Sequence, residues 1–280
     1  MTGLMAEQER QHPRPNTEPE IVARLRSTGS VFAEEEARLL IDAAASPGEL
    51  EAMVAARASG LPLEPILGWV EFAGMRVLID PGVFVPRVRT ELLVREALAL
   101  AGAAPVVVDL CCGCGAVGTA IATTLAERGV TARLYASDIE PVAVANARRN
   151  VEPLGGDVYE GDLFAPLPST LRGTVDLLVV NAPYVPTDAI ALMPPEAREF
   201  EPHVALDGGG DGLDVHRRIA AAAPEWLAPG GHLIIEASGD QAPVTAGLFE
   251  AAGLSARIVH SDDLDATVVV GTARSGPSQA

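Results

Sequence analysis

Residues 106–128 have the sequence VVVDLCCGCGAVGTAIATTLAER. The β-branched run that ends at Asp109 is typical of a buried strand, and the apolar segment after Gly115 is typical of a helix. Gly113, Gly115 and Gly118 form a G-x-G-x-x-G motif, and Asp138 follows twenty residues later. In open α/β sheets, ligands lie at the carboxyl ends of strands, where glycines allow close backbone approach. The stretch therefore predicts a strand, a ligand-binding turn and a helix.

Strand and helix patterns alternate along the rest of the second half of the chain. The predicted strands are Val106–Asp109, Arg133–Ser137, Asp157–Glu160, Val175–Val180, His232–Glu236, Ala256–Val259 and Thr267–Gly271. The predicted helices are Thr90–Leu100, Val117–Arg128, Pro141–Asn150, Val215–Leu227 and Val244–Ala252. Such alternation predicts an α/β fold with a seven-stranded, mostly parallel, doubly wound sheet.

The first part of the chain has a different pattern. Residues 1–16 are polar and contain two prolines, which predicts a flexible tail. Residues 17–67 predict a small helical domain, in which Ser46, Pro47 and Glu49 give the start signal of one helix. Residues 68–85 predict a hairpin linker, and residues 86–280 form the predicted ligand-binding domain.

Charge and composition narrow the class of partner. The chain has 20 basic and 38 acidic residues, so that its net charge is 20 − 38 = −18, and no arginine-rich run is present. A nucleic-acid partner is therefore unlikely, and a basic protein partner is favoured. No apolar run is long enough to span a membrane and no secretory signal is recognisable, so we expect a cytoplasmic protein.

The three cysteines, Cys111, Cys112 and Cys114, lie in one short segment. They are too close together for a disulfide framework, which fits a cytosolic protein. A structural zinc site needs four ligands, and no second cysteine pair exists. We therefore expect no metal, and interpret these cysteines as small residues in a tight loop.

The glycine motif leaves two cofactors open, NAD and S-adenosylmethionine. Asp109 closes the first strand of the motif, where a carboxylate would repel a pyrophosphate but attract the ammonium of a methionine moiety. Asp138 ends the second strand, where its carboxylate could accept hydrogen bonds from ribose hydroxyls of either cofactor. The position of Asp109 favours S-adenosylmethionine.

A second motif, Asn181-Ala182-Pro183-Tyr184, follows the fourth predicted strand. An amide nitrogen is a poor nucleophile because its lone pair is delocalised, so methyl transfer to it needs acceptors for its N–H groups. The side-chain oxygen of Asn181 and the carbonyl of Ala182 could supply two acceptors. Pro183 would hold the turn rigid, and Tyr184 would form an aromatic wall. The alternative is an ordinary Asn-x-Pro turn.

These residues resemble the release factor glutamine N5-methyltransferase family, a class I S-adenosylmethionine-dependent group. Its Asn-Pro-Pro-Tyr signature is matched by residues 181–184. Residues 65–72, 84–93 and 200–206 also resemble segments of that family, so that the resemblance covers about residues 60–272. It implies a class I methyltransferase fold and methyl transfer to the N5 atom of a glutamine in a release factor-like protein with an exposed glutamine loop.

The resemblance also implies roles for individual residues. Asn181 and Tyr184 would be catalytic, and residues 17–67 would recognise the substrate. The implied cofactor-binding residues are Asp109, Cys111, Cys112, Gly113, Cys114, Gly115, Asp138, Asp162, Leu163 and Asn181. The implied substrate-binding residues are Phe84, Arg87, Asn181, Ala182, Pro183 and Tyr184.

The chain departs from the family pattern at several positions. Cys111 replaces a glycine, Ala182 replaces the first proline of the signature, Ser238 replaces a glycine, and an arginine expected near Ala266 is missing. Alternative acceptors therefore remain, either the exocyclic amine of a nucleobase or a small-molecule amide. A nicotinamide oxidoreductase and a non-catalytic cofactor-binding paralogue are the remaining alternatives.

Overall fold

The computed structural model describes residues 17–275, so that the predicted tail at residues 1–16 lies outside the described residues. The chain divides after Leu67 into two compact units. No helix in the described part of the chain is long and apolar enough to cross a bilayer.

The part of the first unit that the structure describes, residues 17–67, contains four α-helices. Its helices are α1 (Glu18–Ser27), α2 (Ala33–Ala43), α3 (Pro47–Ala58) and α4 (Leu63–Leu67). The predicted start of α3 is confirmed, because Ser46 Oγ accepts a hydrogen bond from the backbone N–H of Glu49 at 3.2 Å. The amphipathic helices bury one shared apolar cluster that includes Ile21, Leu40 and Val54.

The second unit begins with a β-hairpin. Strands β1 (Trp69–Phe72) and β2 (Met75–Leu78) are antiparallel, and Ala73 and Gly74 form the tight turn between them. Residues 68–85, which include this hairpin, belong to the second unit. Side chains of a following helix hold the hairpin, because Asn146 and Asn150 both donate hydrogen bonds to the carbonyl of Leu78.

The rest of the second unit is a seven-stranded sheet with helices on both faces, as predicted. Its strands are β3 (Val106–Leu110), β4 (Arg133–Asp138), β5 (Asp157–Glu160), β6 (Val175–Val180), β7 (Leu227–Glu236), β8 (Ser255–Ser261) and β9 (Ala266–Thr272). The helices are α5 (Glu91–Leu100), α6 (Ala116–Glu127), α7 (Pro141–Val151), α8 (Pro195–Phe200), α9 (Asp214–Ala222) and α10 (Ala242–Ala251).

The strand order is β5-β4-β3-β6-β7-β9-β8. Strands β5, β4, β3, β6 and β7 are parallel, whereas β9 is antiparallel to both of its neighbours. The chain runs from β3 outward to β5 and then returns to β6 on the other side of β3. This topological switch point opens a crevice at the carboxyl ends of β3, β4 and β6, where ligands bind in such sheets.

Two predicted boundaries were wrong by several residues. Helix α9 ends at Ala222 rather than at Leu227, and a single 3₁₀ turn follows it. Pro224 lies in that turn, and proline cannot continue the hydrogen-bonding ladder of an α-helix. Leu227 instead begins β7, which starts five residues before the predicted His232.

Candidate active site

A cleft of about 220 Å³ lies at the switch point. A single water molecule needs about 10–15 Å³ of volume measured in the same way, so the cleft can hold a ligand much larger than water. The structure brings together almost all the predicted site residues. Those that line the cleft are Phe84, Arg87, Asp109, Cys111, Cys112, Gly113, Cys114, Asp138, Asp162, Leu163, Asn181, Ala182, Pro183 and Tyr184.

Gly115 is the predicted site residue that does not line the cleft. It precedes α6 with a φ of 78°, and a Cβ added there would lie 2.9 Å from the Cγ2 atom of Val151. Gly115 is therefore needed for the close packing of this turn on α7. Gly113 has a φ of 55°, and an added Cβ would meet no atom within 4 Å. The backbone of Gly113 is therefore accessible to a ligand in the cleft.

Asp109 lies at the end of β3 with only 2% of its surface exposed. Its Oδ2 atom accepts a hydrogen bond from the backbone N–H of Gly118 at 2.8 Å. A side chain at Gly118 would be crowded, because an added Cβ would lie 2.9 Å from the Cδ1 atom of Leu134 and 3.1 Å from that oxygen. Burial, and to a smaller extent the nearby Asp138, raise the pKa of Asp109 to about 8. A cation beside Asp109 would therefore favour its ionised form.

Asp138 ends β4 and faces the same cleft. Its two carboxylate oxygens accept hydrogen bonds from the backbone N–H groups of Gly113 at 2.8 Å and Glu140 at 3.0 Å. Each carboxylate oxygen can accept more than one hydrogen bond, so capacity remains for ligand hydroxyls. Ile139 is 50% exposed and also lines the cleft, where it offers an apolar surface to a flat ring.

Asp162 and Leu163 line the cleft after β5. Asp162 forms an ion pair with Arg218 at 2.5 Å between Oδ2 and Nη2. The carbonyl of Leu163 accepts a hydrogen bond from Ser137 Oγ at 3.0 Å. This half of the cleft thus combines the buried carboxyl group of Asp109, the half-buried carboxyl group of Asp138, an open backbone turn and apolar side chains. That combination fits the ammonium, ribose and adenine of S-adenosylmethionine.

Asn181 directly follows β6 and has a defined side-chain orientation. Its Nδ2 atom donates a hydrogen bond to the Oγ1 atom of Thr90 at 3.2 Å, and Thr90 is buried. The amide nitrogen is thereby engaged, so Oδ1 is the atom of Asn181 that can accept a hydrogen bond from a ligand. The sequence interpretation did not include Thr90, because nothing in the sequence pairs residues so far apart.

Tyr184 belongs to a hydrogen-bonded polar group, centred on the buried Glu236, that the sequence interpretation missed. Its hydroxyl donates a hydrogen bond to Glu236 Oε1 at 3.1 Å, and Arg89 Nε donates to the same oxygen at 3.1 Å. Burial, followed by the charge of Glu236, raises the pKa of Tyr184 to about 12. Tyr184 therefore remains a protonated phenol near neutral pH. The available signal was the position of Glu236 at the end of a predicted strand.

The predicted substrate-binding residues Phe84 and Arg87 contact each other. The guanidinium carbon of Arg87 lies 5.1 Å from the ring centroid of Phe84, within cation–π range. Arg87 also pairs with the buried Glu201 at 2.5 Å. Each arginine that lines the cleft is thus paired with a carboxylate: Arg87 with Glu201, Arg89 with Glu236 and Arg218 with Asp162.

Comparison with known proteins agrees with this geometry. Residues 74–193 match the family described as Methyltransferase small domain. Among solved structures, the 16S rRNA N2 G1207 methyltransferase of T. thermophilus, in complex with AdoMet and guanosine, is similar with a TM-score of 0.52 and 18% identity. The similarity covers 74% of this chain and 50% of that chain. It supports the fold alone.

Curated relatives are closer in sequence. The release factor glutamine methyltransferase of Geobacter sulfurreducens is 43% identical over 74% of this chain and 72% of its own length. The 4-amino-L-phenylalanine/4-methylamino-L-phenylalanine methyltransferase of Streptomyces pristinaespiralis is 39% identical over 69% of this chain and 66% of its own length. The chain is an S-adenosylmethionine-dependent methyltransferase, and it belongs to the release factor glutamine methyltransferase family.

Proposed function

We propose that this chain transfers a methyl group to the side-chain amide nitrogen, N5, of a glutamine in a release factor-like protein. The observation that carries the proposal is the orientation of Asn181, whose amide nitrogen is held by Thr90 at 3.2 Å. Asn181 shares one cleft with Gly113 and Asp138. When bound, S-adenosylmethionine supplies an electrophilic methyl group on a positively charged sulfur.

The cofactor half of the cleft would hold this methyl donor through a few named residues. Asp138 would accept hydrogen bonds from the ribose hydroxyls, and Ile139 and Leu163 would contact the adenine. Asp109 would lose its proton and attract the ammonium of the methionine moiety. Gly113 would leave its backbone accessible to the ligand, since an added Cβ there meets nothing within 4 Å.

Asn181 would orient the acceptor amide. A glutamine amide has two N–H groups, and its nitrogen attacks only when the lone pair is directed away from carbonyl conjugation. Asn181 Oδ1 and the carbonyl of Ala182 would accept these two N–H groups and stabilise the positive charge that develops on nitrogen. The new N–C bond would form as the bond between the methyl carbon and the donor sulfur breaks, so that the sulfur would lose its positive charge, and one amide proton would be released to water.

A second candidate is transfer to the amine of a small aromatic amino acid, which the Streptomyces relative favours by its name. A free amino acid carries a carboxylate, which a binding site usually recognises with an unpaired arginine. In this cleft, Arg87, Arg89 and Arg218 are each paired with an acidic side chain. This pairing favours a glutamine within a polypeptide over a free amino acid.

The same charges weigh against a nucleobase in RNA or DNA. A polynucleotide acceptor would bring several phosphates to the rim of the cleft, and the affinity for it depends on free basic groups. The net charge of −18 opposes such binding. We propose that the acceptor instead presents its glutamine on an exposed loop and that residues 17–67 recognise the rest of the protein. A release factor acceptor would place the reaction in the cytoplasm.

The test measures single-turnover methyl transfer at saturating S-adenosylmethionine, followed by mass mapping of the modified atom. The acceptors are a release factor, a short glutamine peptide, 4-amino-phenylalanine and an RNA fragment. We expect N5-methylglutamine from the first two. Asn181→Ala should lower the rate about 10²–10³-fold, the usual loss for a preorganised contact at the reacting centre.

Ala182→Pro is the matched variant, because it restores the family signature and keeps the backbone carbonyl. It should preserve or raise the rate. A wild-type rate in Asn181→Ala, or methylation confined to the amine or the RNA, would refute the proposal.

A further inference from the structure

Glu236 lies beside the acceptor turn but outside the cleft. It ends β7, and Ile235 of that strand pairs with Val180, the residue before Asn181. Only 2% of its surface is exposed. Tyr184 and Arg89 both line the cleft, and both donate a hydrogen bond to Glu236 Oε1 at 3.1 Å. Glu236 is therefore connected to the cleft through two other side chains.

A carboxylate in this position is costly. Burial of an ionised group must be offset by its partners, and an apolar residue would pack at the end of β7 without that cost. Among the residues that the structure describes, the second oxygen of Glu236, Oε2, has no hydrogen-bond partner. A buried carboxylate oxygen without a protein partner next to a reaction site calls for an explanation, and a functional role is one.

Tyr184 is held at both of its ends. Its backbone carbonyl accepts a hydrogen bond from Gln241 Nε2 at 2.9 Å, and its hydroxyl donates to Glu236. These two contacts restrict movement of the ring relative to the cleft. Arg89 donates a hydrogen bond to the same carboxylate oxygen, so that Glu236 positions the side chains of both Tyr184 and Arg89.

We propose that Glu236 is a positioning residue for the acceptor: through Tyr184 and Arg89 it holds one wall of the acceptor pocket in a fixed geometry. The proposal rests on the proposed function for the identity of the acceptor. A flat amide that is aligned by this wall reacts faster, because transfer depends on a correctly oriented nitrogen. Cofactor binding depends on other residues and is unaffected.

The first experiment is a double-mutant cycle with Glu236→Gln and Tyr184→Phe. Each single variant should lower kcat for a glutamine peptide about tenfold, with a smaller change in KM and an unchanged Kd for S-adenosylmethionine. The double variant should lose less than the product of the two single losses, because both changes remove one contact. Losses that multiply fully in the double variant would overturn the proposal. A wild-type kcat in Tyr184→Phe would also overturn it, and that result does not require Glu236→Gln to fold.

The second experiment does not depend on the acceptor. Tyrosine labelled with ¹³C at Cζ gives three signals, since the chain has three tyrosines, and Tyr184→Phe assigns one of them. In Glu236→Gln, the phenol pKa of Tyr184 should fall, because the negative charge beside it is lost. An unchanged pKa would overturn the proposal. Glu36→Gln is the matched control, because it breaks the comparable Arg57–Glu36 pair of the helical unit; it should leave this signal unchanged.

The two experiments separate the two proposals. If the wild-type protein does not methylate glutamine, the proposed function fails, and the kinetic cycle is repeated with whichever acceptor the wild-type protein methylates. The Tyr184 titration tests the contact in either case.

Discussion

The orientation of Asn181 depends on a single hydroxyl group. Thr90 is buried and receives the hydrogen bond from Asn181 Nδ2. Thr90→Val keeps the shape and removes the acceptor, so that the amide of Asn181 can rotate by half a turn and present its nitrogen. We expect kcat to fall about fivefold, as for a lost hydrogen bond of about 1 kcal/mol, with little change in cofactor affinity. Thr90→Ser, which retains the hydroxyl, is the control and should remain close to wild type.

Asp109 makes stability depend on pH. The pKa of its carboxyl is about 8 in the folded protein, against an ordinary value of 3.8. The folded state therefore binds this proton more tightly, and the resulting stabilisation is complete below pH 3.8 and is lost as the pH rises towards 8. Relative to Asp109→Asn, the wild-type free energy of unfolding should fall between pH 5 and 8, by at most about 1.4 kcal/mol per pH unit.

Urea unfolding of both proteins over this range measures the difference. Saturating S-adenosylmethionine should reduce the slope, because an ammonium beside the carboxylate favours its ionised form. Parallel curves for wild type and Asp109→Asn without cofactor would contradict the assignment.

At the scale of the element, the turn between β3 and α6 has two glycines with separate tasks. Gly115→Ala places a methyl group 2.9 Å from Val151, which should destabilise the fold by about 1–3 kcal/mol, and the strain of its positive φ adds about 1–2 kcal/mol. Gly113→Ala meets no neighbour, so that only the backbone strain of its positive φ, about 1–2 kcal/mol, acts on stability. Its methyl group should instead weaken S-adenosylmethionine binding.

Thermal unfolding and calorimetry on the two variants distinguish these effects. We expect Gly115→Ala to lose more stability than Gly113→Ala. We expect Gly113→Ala to lose more affinity for S-adenosylmethionine, relative to its loss of stability, than Gly115→Ala. The reverse ranking would show that Gly115, as the sequence motif implied, is the residue beside the cofactor.

At the scale of the whole molecule, the helical unit exposes two adjacent apolar side chains. Val31 is 84% exposed and Phe32 is 67% exposed. If the helical unit recognises a folded acceptor, these side chains are candidate contacts. The double variant Val31→Ser/Phe32→Ser should reduce kcat/KM for a folded release factor about tenfold, which is 1.4 kcal/mol. A short glutamine peptide is the control acceptor and should be methylated at the wild-type rate; equal losses for both acceptors would contradict a recognition role.

The succession of strands and helices follows from local patterns in the amino-acid sequence. Each predicted strand from Val106 to Gly271 is present, because buried β-branched runs and amphipathic stripes are local signals. The family and most of the cleft could also be predicted from the sequence, since Gly113 and Asn181 each follow a strand, and Asp138 ends one, at the same edge of the sheet. The boundaries near Ala222 and Leu227 were wrong because a helical pattern continued through Pro224.

The contacts that hold these residues in place could be seen only in the folded chain. Thr90 orients Asn181 across 91 residues of sequence, and Glu236 joins Tyr184 to Arg89 across separate elements. Such contacts leave no local pattern, because they arise only when the order of strands in the sheet brings distant segments together. The structure also assigned Gly115 to packing and Gly113 to the cleft, a distinction that depends on the position of Val151 in the folded chain.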